Sequence, residues 1–366
     1  MPIDWVRPRF YAARIKSLVI DWDFTETPKI MDILKAMGLF YPSGGLLPNL
    51  RCLECHSHGS CPDLTSLRVL LHPQVKKISF TCSPSITNLS FLSALPVICP
   101  RLRCFGLSFC RGEYCPEAAA VVSTLLPALQ TLKSLWLDVD IRFGPTVAGS
   151  FPCLQEFTML KGGVASVMRL LSAAADLDLI KIDLCLFPAT TTSQIAELAW
   201  RGDVMKAHTL RELSFFHGLN SVYIAWSFGP DLDDKTLDLL TASWTQLTNL
   251  QLIQGGKATN LTLKSLLALG QNCPHLQCLR LMIDAREVPE LPRVASQRSL
   301  ELLAFGSSPI QNATKVARYL SGIFLDLRYI QSDVLIEYRQ LWKQVSELLP
   351  EFVAVRKEER EQVRAG

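Results

Sequence analysis

The sequence predicts an α/β repeat protein, a horseshoe with short parallel strands on its concave face and helices on its convex face. Three observations predict it. A hexapeptide with apolar residues at positions one, four and six recurs along the chain; proline stands two residues before several copies; and the stretches between copies show helical apolar spacing. A unit of this kind cannot bury its apolar face alone, so copies must stack and share one core.

The copies begin at Ile15 (IKSLVI), Leu50 (LRCLEC), Val75 (VKKISF), Leu102 (LRCFGL), Leu132 (LKSLWL), Leu154 (LQEFTM), Leu179 (LIKIDL), Leu210 (LRELSF), Leu247 (LTNLQL), Leu276 (LQCLRL) and Leu300 (LELLAF), with a degenerate twelfth at Leu327 (LRYIQS). The mean spacing over the first eleven is (300 − 15)/10 = 28.5 residues, at the upper edge of the roughly 20 to 29 residues of leucine-rich repeats. Pro48, Pro73, Pro100, Pro152 and Pro274 stand two residues before five of these starts. Proline cannot continue a helix and biases its predecessor toward extended geometry, so each converts a helix end into a strand entry. Between strands, Val164, Val167, Met168 and Leu171, and more briefly Leu263, Leu266 and Leu267, place one apolar stripe on a helix. The expected organisation is a solenoid of 11–12 irregular repeats over residues 1–332, closed by a capping helix and charged tail over 333–366.

Bulk composition narrows the function. The chain has 366 residues, is 49% hydrophobic and 19% charged, and has a net charge of +3. It shows no concentrated basic stripe of the kind nucleic-acid readers carry, no run of about 18 apolar residues for a membrane span, and no secretory signal in its opening residues. The partner expected is therefore a protein, not nucleic acid or membrane. Twelve cysteines at irregular spacing without a signal read as reduced thiols in the cytosol or nucleus. The glycosylation patterns at Asn88, Asn260 and Asn312 are then expected to stay unmodified.

The segment "RCLECHSHGSC" holds Cys52, Cys55, Cys61, His56 and His58 and could suggest a haem or zinc site. The repeat frame argues otherwise. Cys55 occupies position six and points into the core, while Cys52 at position three projects from the opposite face. A closed zinc site needs four converging ligands, so no metal and no cofactor are expected. Asp231, Asp233 and Asp234 read as a helix start with one aspartate as cap. "QGGK" at Gln254 to Lys257 lacks the first glycine and the Ser or Thr of a phosphate loop and reads as a turn. No Gly-x-Ser-x-Gly or His-Glu-x-x-His occurs, and no catalytic residue is nominated, so a binding protein is expected rather than an enzyme. A hydrolase with an unrecognised site is the reading from another class.

Positions three and five, with the residue after position six, are expected to face the concavity. These include Lys77, Ser79, Trp136, Asp138, Glu156, Thr158, Lys181, Asp183, Glu212, Phe216, Asn249, Gln251, Arg280 and Met282. Trp136, Phe216, Arg280 and Met282 are the expected anchors, being types that dominate interfaces when desolvated. Glu156, Asp183 and Glu212 lie on nearby strands and suggest an acidic mid-section for a basic partner, diluted by Lys181 beside them.

"NCPHLQCLRL" (Asn272 to Leu281), "CPRLRCFGLSFC" (Cys99 to Cys110), the opening "DWVRPRFYAARIKSLVI" and "VARYLSGIFLDLRYIQ" (Val316 to Gln331) together resemble the repeat region of fungal F-box proteins. Those are substrate receptors of Skp-cullin-F-box ubiquitin ligases. The resemblance implies that the repeats hold a protein substrate. It departs at position nine, where only Cys110 supplies the expected Asn or Cys. It departs again at the N-terminus, where the first repeat begins at Ile15 and the F-box helices are absent, so a Skp adaptor and cullin are implied only if an F-box lies upstream. The other reading of the same fold is a scaffold outside ubiquitination. At the far end, Leu341, Val345 and Leu348 share one face of a helix followed by the mixed-charge "RKEEREQVR".

Overall fold

The computed structural model describes residues 10–22, 27–40, 46–57, 63–110, 115–139, 151–161, 167, 171, 178–186, 210–226, 232–254, 259–290, 297, 299–327, 329–331 and 336–365. The chain divides into two compact units, Met1–Leu177 and Asp178–Gly366.

In the first unit six strands follow one another in sequence order: β1 (Ser17–Trp22), β2 (Cys52–Ser57), β3 (Lys77–Cys82), β4 (Cys104–Phe109), β5 (Ser134–Asp138) and β6 (Glu156–Lys161). Each pairs parallel to the next, with equivalent repeat positions opposite one another. The returns carry α1 (Thr27–Phe40), a 3-10 helix over Leu64–Leu70, α2 (Ile86–Ser93), the short α3 (Leu95–Ile98) and α4 (Pro116–Ala128). The second unit repeats the plan with β7 (Lys181–Leu186), β8 (Ser221–Trp226), β9 (Asn249–Gln254), β10 (Cys278–Arg280), β11 (Leu302–Ala304) and β12 (Tyr329–Gln331). Its helices are α5 (Asp234–Ser243), α6 (Leu263–Asn272), α7 (Ala313–Ile323) and α8 (Ile336–Ala365). One parallel strand per repeat, in sequence order and with return helices, is the α/β leucine-rich-repeat fold that the hexapeptide predicts.

The repeated leucines form the core because period-two alternation sends positions four and six to one side of every strand, and position one arrives from the preceding turn. Leu50, Leu53 and Cys55, then Val75, Ile78 and Phe80, are fully buried, and the same triplet is buried at Leu132, Leu135 and Leu137. Complete burial of one such side chain contributes about 1.5–3 kcal/mol, so the three columns are the main stabilising element of each unit.

Strand entry has a fixed chemistry. The amide of position one donates to the carbonyl three residues earlier in Leu50 to Leu47, Val75 to His72, Leu102 to Cys99, Leu132 to Leu129, Leu154 to Phe151, Leu247 to Trp244 and Leu276 to Cys273. Proline occupies the second place of five of these turns, where its fixed φ is already the one required. The first residue of each turn is buried whatever its type. Gln297 holds that place in its repeat through its side chain, accepting the Leu300 amide at 3.0 Å and donating to the Leu276 carbonyl at 2.6 Å.

One repeat departs from the sequence reading. The Leu210 copy is no strand: Glu212–Phe215 is a 3-10 helix, and β8 belongs to Leu219-Asn220-Ser221-Val222-Tyr223-Ile224, where Leu219, Val222 and Ile224 are the buried triplet. Both hexapeptides carry apolar residues at one, four and six. The structure favours the second because His217 and Gly218 form a turn with Phe216 as its buried first residue, as Leu47-Pro48 or Cys273-Pro274 do elsewhere.

Helix starts follow capping rules. Asp233 accepts the Thr236 amide at 2.9 Å, Thr262 the Lys264 amide at 3.2 Å and Asn312 the Lys315 amide at 2.9 Å. Asp233 is thus the capping aspartate, while Asp234 instead ties neighbouring repeats by accepting from the Thr262 amide and hydroxyl; Asp231 lies outside the described residues. Buried Asn88 accepts the Leu64 amide at 2.8 Å and donates to the Ser83 carbonyl at 3.1 Å. In α8 the buried residues are Trp342, Val345, Leu349 and Val353, and the Trp342 indole donates to the Ser308 carbonyl at 2.8 Å. Leu341 and Leu348 flank this face half-buried. Val167 and Leu171 are buried, whereas Val164 and Met168 lie outside the described residues. Among the described residues no helix is long and apolar enough to cross a membrane.

Candidate functional site

Positions three, five and seven of each strand face away from the core, and the parallel register lines them up in rows. In the first unit the position-five row reads Val19, Glu54, Ser79, Gly106, Trp136, Thr158. Trp136 stands beside Gly106, and a Cβ at Gly106 would lie 2.7 Å from the Ser79 hydroxyl and 3.4 Å from an indole carbon of Trp136. The absent side chain therefore gives Trp136 its place, half-buried yet open on its outer side. Two residues on, the Ser108 hydroxyl donates to Asp138 at 3.0 Å. Trp136 and Asp138 thus lie on the outward face, as does exposed Glu156 at the start of β6.

On the neighbouring strands Lys77 pairs with Glu54 at 2.8 Å and the Cys52 thiol donates to the same carboxylate at 3.4 Å. The lysine holds Glu54 below its ordinary pKa, and burial pushes the Cys52 thiol up. Cys55 is 0% exposed on the core side, and burial raises its thiol further. Cys52 and Cys55 therefore occupy opposite faces, and among the described residues no three potential ligands gather for a metal. His58 and Cys61 lie outside the described residues, as do Gly255 to Lys257. One correction concerns redox state. Ten cysteines are free thiols, but Cys110 is disulfide-bonded, so the expectation of wholly reduced cysteines does not hold.

In the second unit the position-five row reads Asp183, Tyr223, Gln251, Arg280, Ala304, Gln331. Burial raises the Asp183 carboxyl against the pull of Lys181. It also raises the Tyr223 phenol, with Cys185 and Asp183 adding to the effect and Arg280 opposing it. The Tyr223 phenol thus feels both the Asp183 carboxylate and the Arg280 guanidinium, with Gln251 on the strand between Tyr223 and Arg280. The parallel position-seven row, Cys185, Ala225 and Ile253, is apolar. Together the two rows give a half-buried surface with a polar line beside an apolar one, the composition of a protein interface core and rim.

Three nominated residues are not on this face. Glu212 sits in the 3-10 helix, not on a strand. Phe216, 1% exposed, is the buried first residue of the turn into β8. Met282 is 5% exposed because strand alternation ends at Arg280, after which Leu281, Met282 and Ile283 are all buried and the Met282 carbonyl accepts from the Thr259 hydroxyl at 3.0 Å. With Glu212 displaced, the idea of an acidic mid-section loses one member. In the observed frame Tyr223, which the hexapeptide at Leu210 concealed, takes position five, and Ala225 takes position seven, the place given to Phe216. The signal was present in Gly218, one residue before Leu219, against Thr209 one residue before Leu210.

A separate cleft of about 530 Å³ lies beside the start of α6, lined by Thr262, Lys264, Asp284, Arg286, Glu287, Val288, Pro289 and Gln311. Arg286 donates through Nε to both carboxylate oxygens of Asp284, at 2.9 and 3.0 Å, so the cleft's guanidinium is already neutralised.

No protein-family model and no curated protein matches the sequence. Among solved structures, the leucine-rich-repeat protein LegL7 of Legionella pneumophila is similar over 90% of this chain and 98% of its own, at 12% identity and a TM-score of 0.39. The TLR13 chain of a TLR13–ssRNA13 complex matches 88% of this chain over 56% of its own at 13% identity and a TM-score of 0.30. A leucine-rich-repeat protein of Leptospira interrogans matches 87% of this chain over 90% of its own at 12% identity and a TM-score of 0.28. Superpositions this loose carry no argument about function, which rests on the residues above.

Proposed function

We propose that the chain is a protein-binding scaffold that engages its partner through the outward strand face, with Trp136 and Asp138 as anchors in the first unit and Tyr223, Gln251 and Arg280 in the second. The observation that carries this reading is the aromatic and charged content of rows that the core does not need. The columns at positions one, four and six already complete the fold. A bulky indole set over Gly106 and a phenol between a carboxylate and a guanidinium are the residue types that become binding anchors when a partner removes water.

Within that reading, the resemblance to fungal F-box proteins favours a substrate receptor of a Skp-cullin ligase in the cytosol or nucleus, with the repeats holding the substrate. The test is purification of the endogenous tagged protein with mass spectrometry of its companions. Recovery of a Skp adaptor and a cullin supports the receptor reading, and a reproducible partner without them supports a free-standing scaffold. Loss of that partner in Trp136→Ala or Tyr223→Ala, with the far-UV spectrum and melting point retained, is the expected result. Capture unchanged in both variants sinks the assignment of the face.

A further inference from the structure

Five consecutive strand entries in the first unit carry a cation. Position two is Lys16 before β1, Arg51 before β2, Lys76 before β3, Arg103 before β4 and Lys133 before β5. The backbone aligns them: the Arg51 amide donates to the Lys16 carbonyl at 2.7 Å, Lys76 to Arg51 at 2.8 Å, Arg103 to Lys76 at 2.7 Å and Lys133 to Arg103 at 2.7 Å. Strands lie roughly 4.7–4.9 Å apart, so the row spans about 19 Å. Arg51 is half-buried and hydrogen-bonds Gln74; the other four are exposed. Arg101 stands two residues before Arg103, at the offset from which Gln74 reaches Arg51, and thickens the row.

Nothing in the repeat asks for these charges. The same position before β7 to β11 in the second unit holds Ile180, Asn220, Thr248, Gln277 and Glu301, the first four with the same backbone hydrogen bonds to the next entry, and only the last repeat, with Arg328 in the sequence, returns to a cation. Among the described residues no carboxylate lies within 4.0 Å of any of the five, whereas Lys77, one position on, has Glu54 at 2.8 Å. Like charges on adjacent strands repel, so the row is a standing electrostatic cost that an anionic ligand would relieve.

We propose that this row binds an extended acidic segment of a protein partner, lying across the strands along the entry side of the first unit. The inference rests on the protein-binding reading and names the chemistry of the partner. An extended chain advances about 3.3–3.4 Å per residue, so roughly six residues span the row, and flexible lysine and arginine stems absorb the mismatch in spacing. Nucleic acid is the poorer fit because neither position two nor its neighbour two residues earlier offers an aromatic ring for base stacking. A membrane is also the poorer fit along the row because Leu50, Val75, Leu102 and Leu132 of position one are buried and offer it no apolar side chain.

The test measures binding of a fluorescent polyglutamate peptide to the full chain by anisotropy, at low and physiological salt. The triple variant Lys76→Gln, Arg103→Gln, Lys133→Gln is compared with a control triple, Lys264→Gln, Lys315→Gln, Lys343→Gln, in the second unit. Expected is salt-sensitive binding weakened roughly tenfold or more by the first triple, as three lost charge contacts of about 0.5 kcal/mol each imply, and unchanged by the control. Equal losses in both triples, or no binding by a variant-matched folded wild type, overturn the proposal. So does preferential binding of single-stranded oligouridylate or phosphatidylserine vesicles that the first triple abolishes. If an endogenous partner is still captured by the first triple but lost in Trp136→Ala, the row falls and the protein-binding reading stands.

Discussion

The two units build one core and two different surfaces. Leu135 and Leu137 in the first correspond to Leu250 and Leu252 in the second, all buried and all one strand from their equivalents. The strand-entry row, by contrast, is cationic at the first five entries of the first unit, with Gln155 at the sixth, and neutral or acidic at the first five of the second, with Arg328 at the sixth, and the two outward rows share almost no chemistry. Even the buried turn residue diverges: Leu47, His72, Cys99, Leu129 and Phe151 serve the first unit, Phe216, Trp244, Cys273, Gln297 and Phe324 the second. The comparison teaches that a repeat constrains only the positions sharing its core, so surface columns vary independently and carry the function.

The largest effect should come from breaking what the units share. Leu135→Ala and Leu250→Ala each delete a fully buried side chain and should destabilise by about 2–5 kcal/mol, read from denaturant midpoints. Similar losses in both confirm an equivalent core. A loss confined to one unit would mean that the columns are not equivalent, and the comparison would fail at its base.

Next comes a place where the units differ inside the core. Gln297→Leu removes both hydrogen bonds that hold its turn and leaves the Leu276 carbonyl and Leu300 amide without those partners, at about 1–3 kcal/mol. The conservative Leu129→Met in the first unit, where the turn is closed by backbone alone, should cost less than about 1.5 kcal/mol. Equal costs would show that the turn residue acts by volume only.

These two positions also mark how much was legible. Eleven of the twelve strand frames were readable because the apolar triplet and the turn before it are both local in sequence, and Cys52 and Cys55 fell on opposite faces by alternation alone. The frame at Leu210 failed because two neighbouring hexapeptides, at Leu210 and Leu219, fit the same pattern, and only the turn at His217 and Gly218 tells them apart. Met282 failed because the length of β10 depends on packing against Thr259 and Ser308, far away in sequence. The cationic row was visible in the letters but has no motif; it becomes a row only when the strands pair in order. The companions of Trp136, above all Gly106, are likewise set by register across strands.

A smaller effect should follow from His72, a titratable group at a turn position that Leu47 and Leu129 fill in two other repeats of the same unit. Burial, reinforced by the charge of Arg51, lowers its pKa below 6.5. A depressed histidine contributes stability above its unfolded pKa, lost as pH falls through that value toward the folded one, because the unfolded chain takes up the proton first. His72→Leu should therefore flatten the stability of the chain as pH falls below about 6.5, measured by denaturant midpoints. An unchanged slope would show that the ring is solvated when protonated.

The smallest effect belongs to the outward face itself. Lys77 and Glu54 form an ion pair on the first unit with no counterpart at Ser221 and Asp183 on the first paired strands of the second. Lys77 is half exposed, so water screens the pair and Lys77→Ala should cost less than about 1 kcal/mol, shrinking further in high salt. Its more telling consequence is on Glu54, whose pKa should rise once the lysine that lowers it is gone; carboxylate NMR titration reads that shift directly. If Glu54 does not move, Cys52 and His56 suffice to hold its charge. A near-neutral stability change with a clear titration shift would show that the outward face is organised electrostatically without contributing to the fold, which is the condition a surface column must meet to vary from one unit to the other.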